Sequence, residues 1–413
     1  MSVLVVGGGA AGLTSAHFAA LQGAHVRVLE KTREPGKKIL LSGGTRCNVL
    51  PASLDSDRDY FSHSNRNLIQ AVFRSWSLDD CLDWITSPDG VGLDLKLEEA
   101  THKYFPVSDS ARDVRDALVK SCLRHGVQFE HNCSVRSVKQ KGGARWECET
   151  EDGRLFGSDQ IILATGGKSY PKVGTDGVGY SIVKKLGHTL HPPIPALTPL
   201  LAPHPGHAQL SGVSLREAQV EAESAATQEK CRSERSDLLF THRGLSGPSV
   251  LDVSHVIASQ GSPSDARIFV NWSSDSQEEW ETRLRGAKWK GTVPNFVRRF
   301  GIPSRLAAAL CTEAAIPLDR TLSHLTKGER RALVKELTRF EVVCTGHGGF
   351  RLAEVTAGGV PFEEVDVASL ESNMAPGIFL CGELMDIFGR IGGFNFYWAW
   401  LSGRLAGMSV CLE

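Results

Sequence analysis

The chain opens with a short apolar run, then glycines and alanines, then apolar residues at helical spacing. Residues 3–6 are all aliphatic, which is typical of a strand buried in a parallel sheet. Residues 13–21 carry the helical spacing, and Gly23 follows them as a predicted helix stop. A second apolar run covers residues 25–29 and ends at Glu30. The opening pattern therefore predicts a strand–helix–strand unit.

Helical and strand patterns alternate along the rest of the chain, which indicates an α/β protein. Helical spacing predicts further helices over residues 66–85, 109–125 (with Ser108 or Asp109 as N-cap), 303–315, 327–340 and 397–408. Alternating or continuous apolar runs predict strands over residues 133–138, 215–223, 267–272 and 377–383, and from residue 160. The composition changes near residues 191–195, where we expect the chain to cross into an inserted β-rich subdomain with a small helical piece.

Composition and charge narrow the class of protein. The 413 residues include 23% charged residues with a formal net charge of -1, and no basic helix stands out, which argues against nucleic acid as the main partner. No apolar stretch is long enough to span a membrane, and we expect no signal peptide at the N-terminus. The 10 cysteines include no CxxC pair, which predicts a cytoplasmic protein with reduced thiols and disfavours a disulfide reductase. Cysteine and histidine never group at ligand spacing, so no metal site is predicted.

The glycines after the first run are the strongest chemical signal. Gly7 allows a tight turn, Gly9 lets the backbone approach a pyrophosphate, and Gly12 lets helix and strand pack closely. The helix N-terminus offers N–H groups to the phosphates, so Ala10 and Ala11 at this position are also predicted cofactor contacts. Glu30 lies 18 residues after Gly12, where a carboxylate can accept a hydrogen bond from a ribose hydroxyl. This arrangement predicts an adenine-dinucleotide site.

Two observations favour FAD over NAD as that dinucleotide. No second GxGxxG follows a strand later in the chain, which suits one tightly held FAD and a transient reductant. The stretch after Glu30 is basic and rich in glycine, so it can run along the flavin with lysines near phosphate; a solvated basic loop is the alternative. The predicted contacts from this stretch are Lys31, Lys38, Ser42, Gly43, Arg46, Cys47 and Asn48.

The start of the last predicted helix offers a second set of donors. Gly392 and Gly393 precede this helix, and its N–H groups can point at the pyrimidine O2 of the flavin. Positive charge there would stabilise the anionic reduced ring. Asn395 can add a polar contact.

Several motifs recur together in one flavoprotein family. They are GGGAAG, the EK pair, GKK…SGG.RCN, ATGG, FTHRGLSGP, EVTAGGV and GE..D…GGFN…AW.SG. In this order, from residue 3 to about residue 407, they resemble the BaiN-type flavoproteins, or aminoacetone oxidase family FAD-binding enzymes. The resemblance implies a Rossmann-like FAD domain of the glutathione-reductase type. We expect residues 1–190 and 346–413 to form it, around a β-barrel-like and helical substrate or cap domain over residues 191–345.

The resemblance also implies further cofactor contacts. The strand backbone at Val135 would meet adenine, and the ATGG turn would place Thr165, Gly166 and Gly167 beneath the FAD. Gly382, Glu383 and Asp386 would lie near the ribityl chain and pyrophosphate. The sequence departs from the family pattern at Thr45, where glycine is usual, and at Tyr397, where glutamine is common.

The expected activity is an FAD-dependent oxidoreductase that passes hydride between flavin N5 and a small organic substrate. Reduction of an activated C=C bond and oxidation of an amine both stay open. The candidate catalytic cations are Arg46, His242, Arg243 and Arg390. We expect FAD to be non-covalent and NAD(P)H to be a possible electron donor, with no nucleic acid or membrane partner and the oligomeric state left open. The alternatives are a flavin-dependent RNA-modifying enzyme and an FAD-binding protein without catalysis.

Overall fold

The computed structural model describes residues 1–142, 145–225, 228, 230–286 and 288–410. The chain forms two compact units. Unit 1 comprises Met1–Ile194 with Val355–Glu413, and unit 2 comprises Pro195–Glu354. Both crossings lie a few residues after the boundaries drawn from the sequence.

The α-helices are, in chain order, α1 (Ala10–Leu21), α2 (Ser56–Asp59), α3 (Arg66–Phe73), α4 (Leu78–Thr86), α5 (Ala111–Arg124), α6 (Val178–Lys185), α7 (Pro248–Leu251), α8 (Ser254–Ala258), α9 (Gln277–Gly286), α10 (Val293–Val297), α11 (Ser304–Glu313), α12 (Lys327–Thr338) and α13 (Phe394–Ser409). Within the described ranges, no helix has the length and apolar character needed to cross a membrane.

The strands are, in chain order, β1 (Ser2–Val6), β2 (His25–Leu29), β3 (Leu50–Pro51), β4 (Tyr60–Phe61), β5 (Leu95–Glu98), β6 (Lys103–Pro106), β7 (Gln128–Glu130), β8 (Val135–Gln140), β9 (Trp146–Thr150), β10 (Leu155–Ser158), β11 (Gln160–Leu163), β12 (His191–Ala196), β13 (Leu200–Leu201), β14 (Ser214–Ser224), β15 (Lys230–Arg232), β16 (Ser236–Thr241), β17 (Gly244–Ser246), β18 (Ala266–Asn271), β19 (Phe340–Val342), β20 (Gly346–His347), β21 (Val355–Gly359), β22 (Val365–Asp366), β23 (Glu371–Ser372), β24 (Ile378–Leu380) and β25 (Phe388–Gly389).

Unit 1 is built on a seven-stranded sheet in the order β22-β23-β24-β11-β1-β2-β7. The pairs from β24 to β7 are parallel, and β22 and β23 add an antiparallel edge. β1, β11 and β24 are almost wholly buried, which explains their continuous apolar sequences. The predicted Rossmann-like α/β fold is confirmed.

The last helix, α13, covers the first helix, α1. A Cβ built on Gly403 would lie 2.5 Å from the carbonyl oxygen of Ala11, so only glycine permits this close approach. Most of α13 is buried, including Trp398 and Trp400. The contact joins the two ends of the chain and fixes the start of α1, which the candidate site uses.

Unit 2 contains an eight-stranded antiparallel sheet with the path β19-β18-β14-β16-β17-β13-β20, and β15 pairs with β14. Helices α7 to α12 also lie in this unit. The inserted β-rich subdomain with a helical piece is therefore confirmed. The alternating burial along β14 matches the alternation seen in the sequence.

Two helices differ from the prediction. The single helix predicted over residues 66–85 is two helices, because Ser77 begins α4 with a capping box to Asp80. The helix predicted over residues 109–125 begins at Ala111 with Ser110 as N-cap. Asp109 has a positive φ of 54° and forms ion pairs with Arg46 and Lys96, so its carboxylate does not cap the helix.

Candidate cofactor site

The turn between β1 and α1 has no room for side chains at two of its glycines. Gly7 has a φ of 103°, and its amide donates to the carbonyl of Leu29 at 2.9 Å. A Cβ on Gly7 would lie 2.5 Å from the carbonyl oxygen of Ala164, and one on Gly12 would lie 1.9 Å from that of Gly7. These two glycines therefore allow the turn and the close packing, as the spacing predicts.

Gly9, between them, faces open space. It is the N-cap of α1 in extended backbone, with φ -78° and ψ -169°, and a Cβ built on it would meet nothing within 4 Å. No side chain of the described residues caps the helix. The first-turn N–H groups and the positive end of the dipole of this 12-residue helix thus face open space at Gly9, which fits a diphosphate.

The Glu30 carboxylate stands beside this turn and is 92% buried, with 8% relative exposure. One of its oxygens accepts from the amide of Gly8 at 2.9 Å, and the other accepts from the amide of Thr32 at 2.7 Å. These bonds hold the carboxylate in one orientation. Each oxygen keeps a further lone pair that a ribose hydroxyl can use.

A second carboxylate, Glu383, organises a polar network after β24. One of its oxygens accepts from the amide of Thr356 at 2.5 Å and from the hydroxyl of Ser169 at 2.9 Å. The other accepts from Nζ of Lys38 at 2.7 Å, and the same ammonium donates to Ser169 at 2.6 Å. Lys38 and Glu383 are thus brought together as predicted neighbours of one cofactor. Ser169 and Thr356 were missed, although Ser169 lies two residues after ATGG and Thr356 lies within EVTAGGV.

The loop over residues 39–48 is held by unusual backbone conformations. Gly43 and Gly44 have positive φ values, and Thr45 follows with φ 73°, which is strained for a β-branched residue. The Ser42 hydroxyl donates to the carbonyl of Ile39. Cys47 is fully buried, and burial raises the pKa of its thiol to about 12, so it is not a thiolate at neutral pH.

Arg46 makes ion pairs within this region. Its guanidinium lies 2.8 Å from the Glu98 carboxylate and 2.7 Å from the Asp109 carboxylate, and stacks 4.1 Å from the centre of the Phe105 ring. Hydrogen bonds to both carboxylates raise the pKa of Arg46 above its ordinary value. To act near the flavin as predicted, Arg46 would have to contact the flavin while it keeps its ion pairs with Glu98 and Asp109.

The start of α13 combines two glycines with an amide that holds the preceding turn. Gly392 and Gly393 have φ values of 132° and 100°, and Gly393 is the N-cap. The Asn395 side chain accepts from the amide of Gly389 and donates to its carbonyl, both at 2.8 Å, so it holds backbone. The Tyr397 hydroxyl donates to the carbonyl of Trp76 in the core, so this departure from the family pattern points away from any ligand at the helix start.

The other predicted residues are distributed over both units. In unit 1, Lys31 forms an ion pair with Asp176, and Arg390 lies over the Phe61 ring. The buried members of the predicted set include Val135, Gly167 and Gly382. The half-buried members include Thr165, Gly166 and Asn48. In unit 2, His242 and Arg243 are exposed at the tip of the β16–β17 hairpin, where a Ser211 hydroxyl lies 3.0 Å from Nδ1 of His242. In unit 1, the predicted residues that the structure brings together are Glu30 with the glycine turn, Lys38 with Glu383, and Gly392 and Gly393 with Asn395.

An unpredicted cluster adds two histidines to Asp386. Asp386 is buried, accepts from the backbone amide of His63 at 2.8 Å, and lies 3.1 Å from Nδ1 of the same residue. The His191 ring stacks on that of His63, with centroids 4.7 Å apart. Burial would raise the pKa of Asp386, but hydrogen bonds from His63 lower it below its ordinary value. An ionised Asp386 accepts, so Nδ1 of His63 carries the hydrogen of this bond.

This cluster joins residues that are far apart in the sequence, so no local spacing reveals it. The ring and carboxylate atoms of the three residues lie within 4.8 Å of one another. Asp386 stands in the segment between Glu383 and Gly392, both of which are predicted cofactor contacts. The arrangement therefore holds an exposed imidazole in one orientation, through a carboxylate that lies in sequence between two predicted cofactor contacts.

Comparisons with known proteins agree with this fold and turn. A family model described as "HI0933-like protein Rossmann domain" matches residues 1–409. The chain is 33% identical to a protein of Escherichia coli (strain K12) named "Ribosomal RNA dihydrouridine synthase", over 97% of this chain and 95% of that protein. It is 30% identical to a protein of Clostridium scindens named "3-dehydro-bile acid delta(4,6)-reductase", over 98% of each.

A solved structure supports the fold alone. The open conformation of a flavocytochrome c3 fumarate reductase matches 99% of this chain and 77% of that one, with a TM-score of 0.50 and 17% identity. The family model, by contrast, covers nearly the whole chain, including every glycine of the turn. The chain therefore belongs to the HI0933-like family and is a member of a family of FAD-dependent oxidoreductases.

Proposed function

We propose that the protein reduces a carbon–carbon double bond conjugated to a carbonyl, with uridine in ribosomal RNA as the favoured substrate. The observation that carries this proposal is the full-length match, at 33% identity, to a protein named as a ribosomal RNA dihydrouridine synthase. Dihydrouridine differs from uridine by saturation of the C5=C6 bond, which is conjugated to the C4 carbonyl. The name of the bile-acid relative also describes saturation of double bonds. Both names describe one kind of chemistry on different substrates.

The residues of unit 1 fit the cofactor that this chemistry needs. The open backbone at Gly9 and the first turn of α1 would hold the pyrophosphate, and Glu30 would hold a ribose. Lys38 and Glu383 would lie along the ribityl side. When bound, FAD supplies the hydride.

Saturation of a conjugated bond also requires a proton at the carbon next to the carbonyl. We assign this proton to Nε2 of His63, with Asp386 as the positioning residue, because Asp386 fixes the ring through Nδ1. His63→Gln should lower the rate about 10²-fold while the flavin content stays that of the wild type. Unchanged turnover in that variant would remove His63 from the reaction.

The electron donor in this proposal is NADH or NADPH. No second dinucleotide motif follows a strand in the sequence, so the donor would bind transiently. Anaerobic addition of each nicotinamide to the yellow protein tests this step, with bleaching of the flavin spectrum as the expected result. A spectrum that resists both would favour the oxidase alternative, with amines as the first substrates to test. A cytoplasmic location is part of the same proposal.

The decisive experiment measures dihydrouridine in ribosomal RNA. Nucleosides from a strain that lacks the gene would be compared by mass spectrometry with strains that carry the wild type or Gly9→Val. The expected result is loss of dihydrouridine in the deletion, recovery with the wild type, and no recovery with the variant. An unchanged dihydrouridine content, together with no reduction of deletion-strain ribosomal RNA by the purified protein, would refute the RNA substrate.

The bile-acid relative supports a second candidate, a small unsaturated ketone. The near-neutral charge of the chain favours a small molecule over RNA. A steroid 4-ene-3-ketone in the same anaerobic assay distinguishes the two. Reoxidation of the reduced flavin by the ketone, but not by ribosomal RNA, would favour the small molecule.

A further inference from the structure

The net charge of the chain conceals one strongly basic segment in unit 2. The whole chain has a formal net charge of -1, whereas residues 282–312 contain seven basic residues and no Asp or Glu. These seven are Arg283, Arg285, Lys288, Lys290, Arg298, Arg299 and Arg305. All seven are exposed, so the segment presents its positive charges to solvent.

Part of this segment lines a cleft of about 380 Å³, which we name the basic cleft. The side chains that define it are Arg283, Lys288, Trp289, Phe296, Arg299 and Phe300. The cleft lies between α9 and the α10 region of the helical piece. Its size is within the range of pockets that hold small ligands or parts of larger ones.

The floor of the basic cleft is aromatic and held in place. Phe300 packs edge-on against the buried ring of Trp280 at 5.1 Å and against Phe296 at 5.2 Å. Nε1 of the half-buried Trp289 donates to the carbonyl of Thr292 at 3.3 Å. The guanidinium of Arg299 stacks 4.8 Å from the centre of the Trp289 ring. The Trp289 ring and the Arg299 guanidinium therefore form a flat, cationic stacking surface in the cleft that Lys288 also lines.

The charge of this surface is largely uncompensated. Within the part of the chain that the structure describes, no carboxylate forms an ion pair with Arg285, Lys288, Lys290, Arg298 or Arg299. Among the seven, Arg283 alone has a carboxylate partner within the described ranges, which is Asp275 at 2.7 Å.

Several arginines elsewhere in unit 2 do have carboxylate partners. Arg267 lies 2.8 Å from Glu341, and Arg339 lies 2.9 Å from Glu221. Solvated lysines and arginines are ordinary on a protein surface. A run of like charge around a recessed aromatic floor is different, because an anionic ligand would relieve the repulsion and use the ring faces.

We propose that the basic cleft binds single-stranded RNA, with the lysine and arginine side chains on phosphates and a base stacked on the Trp289–Arg299 pair. This proposal rests on the proposed function and adds to it the surface that holds the RNA substrate. Single-stranded nucleic acid is recognised by a positive groove that follows the backbone, with aromatic rings on which bases stack. Trp289 and Phe300 are half-buried and Phe296 is buried, which disfavours insertion of these rings into a lipid surface.

The test is fluorescence anisotropy of the full-length holoenzyme with a fluorescein-labelled, uridine-rich single-stranded RNA of about 12 nucleotides. Lys288→Glu/Arg299→Glu should weaken binding at least about tenfold. The slope of log K against log salt should fall in magnitude by about 1.4, because two phosphate contacts are lost at roughly 0.7 each. Lys327→Glu/Arg331→Glu is the matched control, since it makes the same charge change at exposed positions of α12. The control should bind like the wild type.

Trp289→Ala tests the stacking surface with no charge change. It should weaken RNA binding about tenfold and leave the salt slope unchanged. Flavin absorbance and the melting temperature report whether each variant is folded. If the double charge reversal fails to fold, Lys288→Gln/Arg299→Gln and Trp289→Ala replace it, and wild-type RNA affinity in both would overturn the proposal.

Other outcomes of these experiments would refute the RNA-binding cleft, the proposed function or both. No binding of the RNA by the wild type, or equal weakening by the cleft and control variants, would overturn the proposal. Binding of phosphatidylserine vesicles through the same residues, without RNA binding, would assign the cleft to a membrane instead. RNA binding that depends on the cleft, with no dihydrouridine formed, would refute the proposed function and leave the cleft standing. Dihydrouridine formed at the wild-type rate by a cleft variant of wild-type affinity would refute the cleft alone.

Discussion

Replacement of Gly9 by valine should weaken FAD binding severely without unfolding the protein. Gly9 lies in extended backbone, which valine adopts readily, and its Cβ position meets no protein atom within 4 Å. The isopropyl group would instead fill the space in front of the first turn of α1. Loss of two hydrogen bonds to phosphate, at about 1.5–3 kcal/mol each, would cost about 3–6 kcal/mol. The dissociation constant for FAD should therefore rise by about 10²–10⁴-fold.

The assay is titration of FAD into flavin-free protein, followed by equilibrium dialysis and the visible spectrum. The free energy of unfolding of the flavin-free variant should change by no more than about 1 kcal/mol, since no packed atom is displaced. Gly12→Ala is the matched control, because its Cβ would lie 1.9 Å from the carbonyl oxygen of Gly7 and must force α1 away from β1. That variant should lose about 1–3 kcal/mol of stability even without FAD. Purified Gly9→Val with a full flavin complement would refute the cofactor assignment.

Three further predictions concern stability. Thr45→Gly should stabilise the fold by about 1 kcal/mol, because φ 73° is strained for threonine; a lower urea midpoint would contradict this. Glu383→Gln should lower the free energy of unfolding by about 2 kcal/mol and weaken FAD binding, because it leaves Lys38 facing a neutral amide. Calorimetry would measure the stability and flavin titration the affinity, and unchanged values of both would contradict the prediction. Although burial alone would raise the pKa of Glu221, Arg232 and Arg339 lower it from 4.5 to about 2. Its stabilising contribution is thus complete above pH 4.5 and lost as the pH falls towards 2, so the stability gap between wild type and Glu221→Gln should narrow over that interval, and a constant gap would refute the linkage.

Local sequence was sufficient where a residue's role follows from its own backbone or its chain neighbours. Gly7 and Gly12 occupy positions that a Cβ cannot occupy, and Gly9 faces open space, as the spacing predicts. The break between α3 and α4 was also local, since Ser77 and Asp80 form a capping box, but the apolar period across residues 66–85 concealed it. Hydrophobic period detects a buried face and is insensitive to a change of helix axis.

Contacts between distant segments could not be predicted in this way. Arg46 belongs to a basic, glycine-rich motif, yet its guanidinium lies on Glu98 and Asp109. Asp386 was expected at the cofactor, and the structure adds hydrogen bonds from His63, which is 323 positions away.

The sequence by itself determined the α/β fold, the dinucleotide turn and the β-rich insert, because each depends on periodicity or on backbone conformations that few residues allow. The tertiary structure alone decided which side chains bind the same carboxylate and which arginines have no ion pair with a carboxylate among the described residues. It also showed that three basic residues of a nearly neutral chain, Arg283, Lys288 and Arg299, line one aromatic cleft. Composition averages charge over the whole chain, whereas binding depends on the field at one surface, and only packing sets that field.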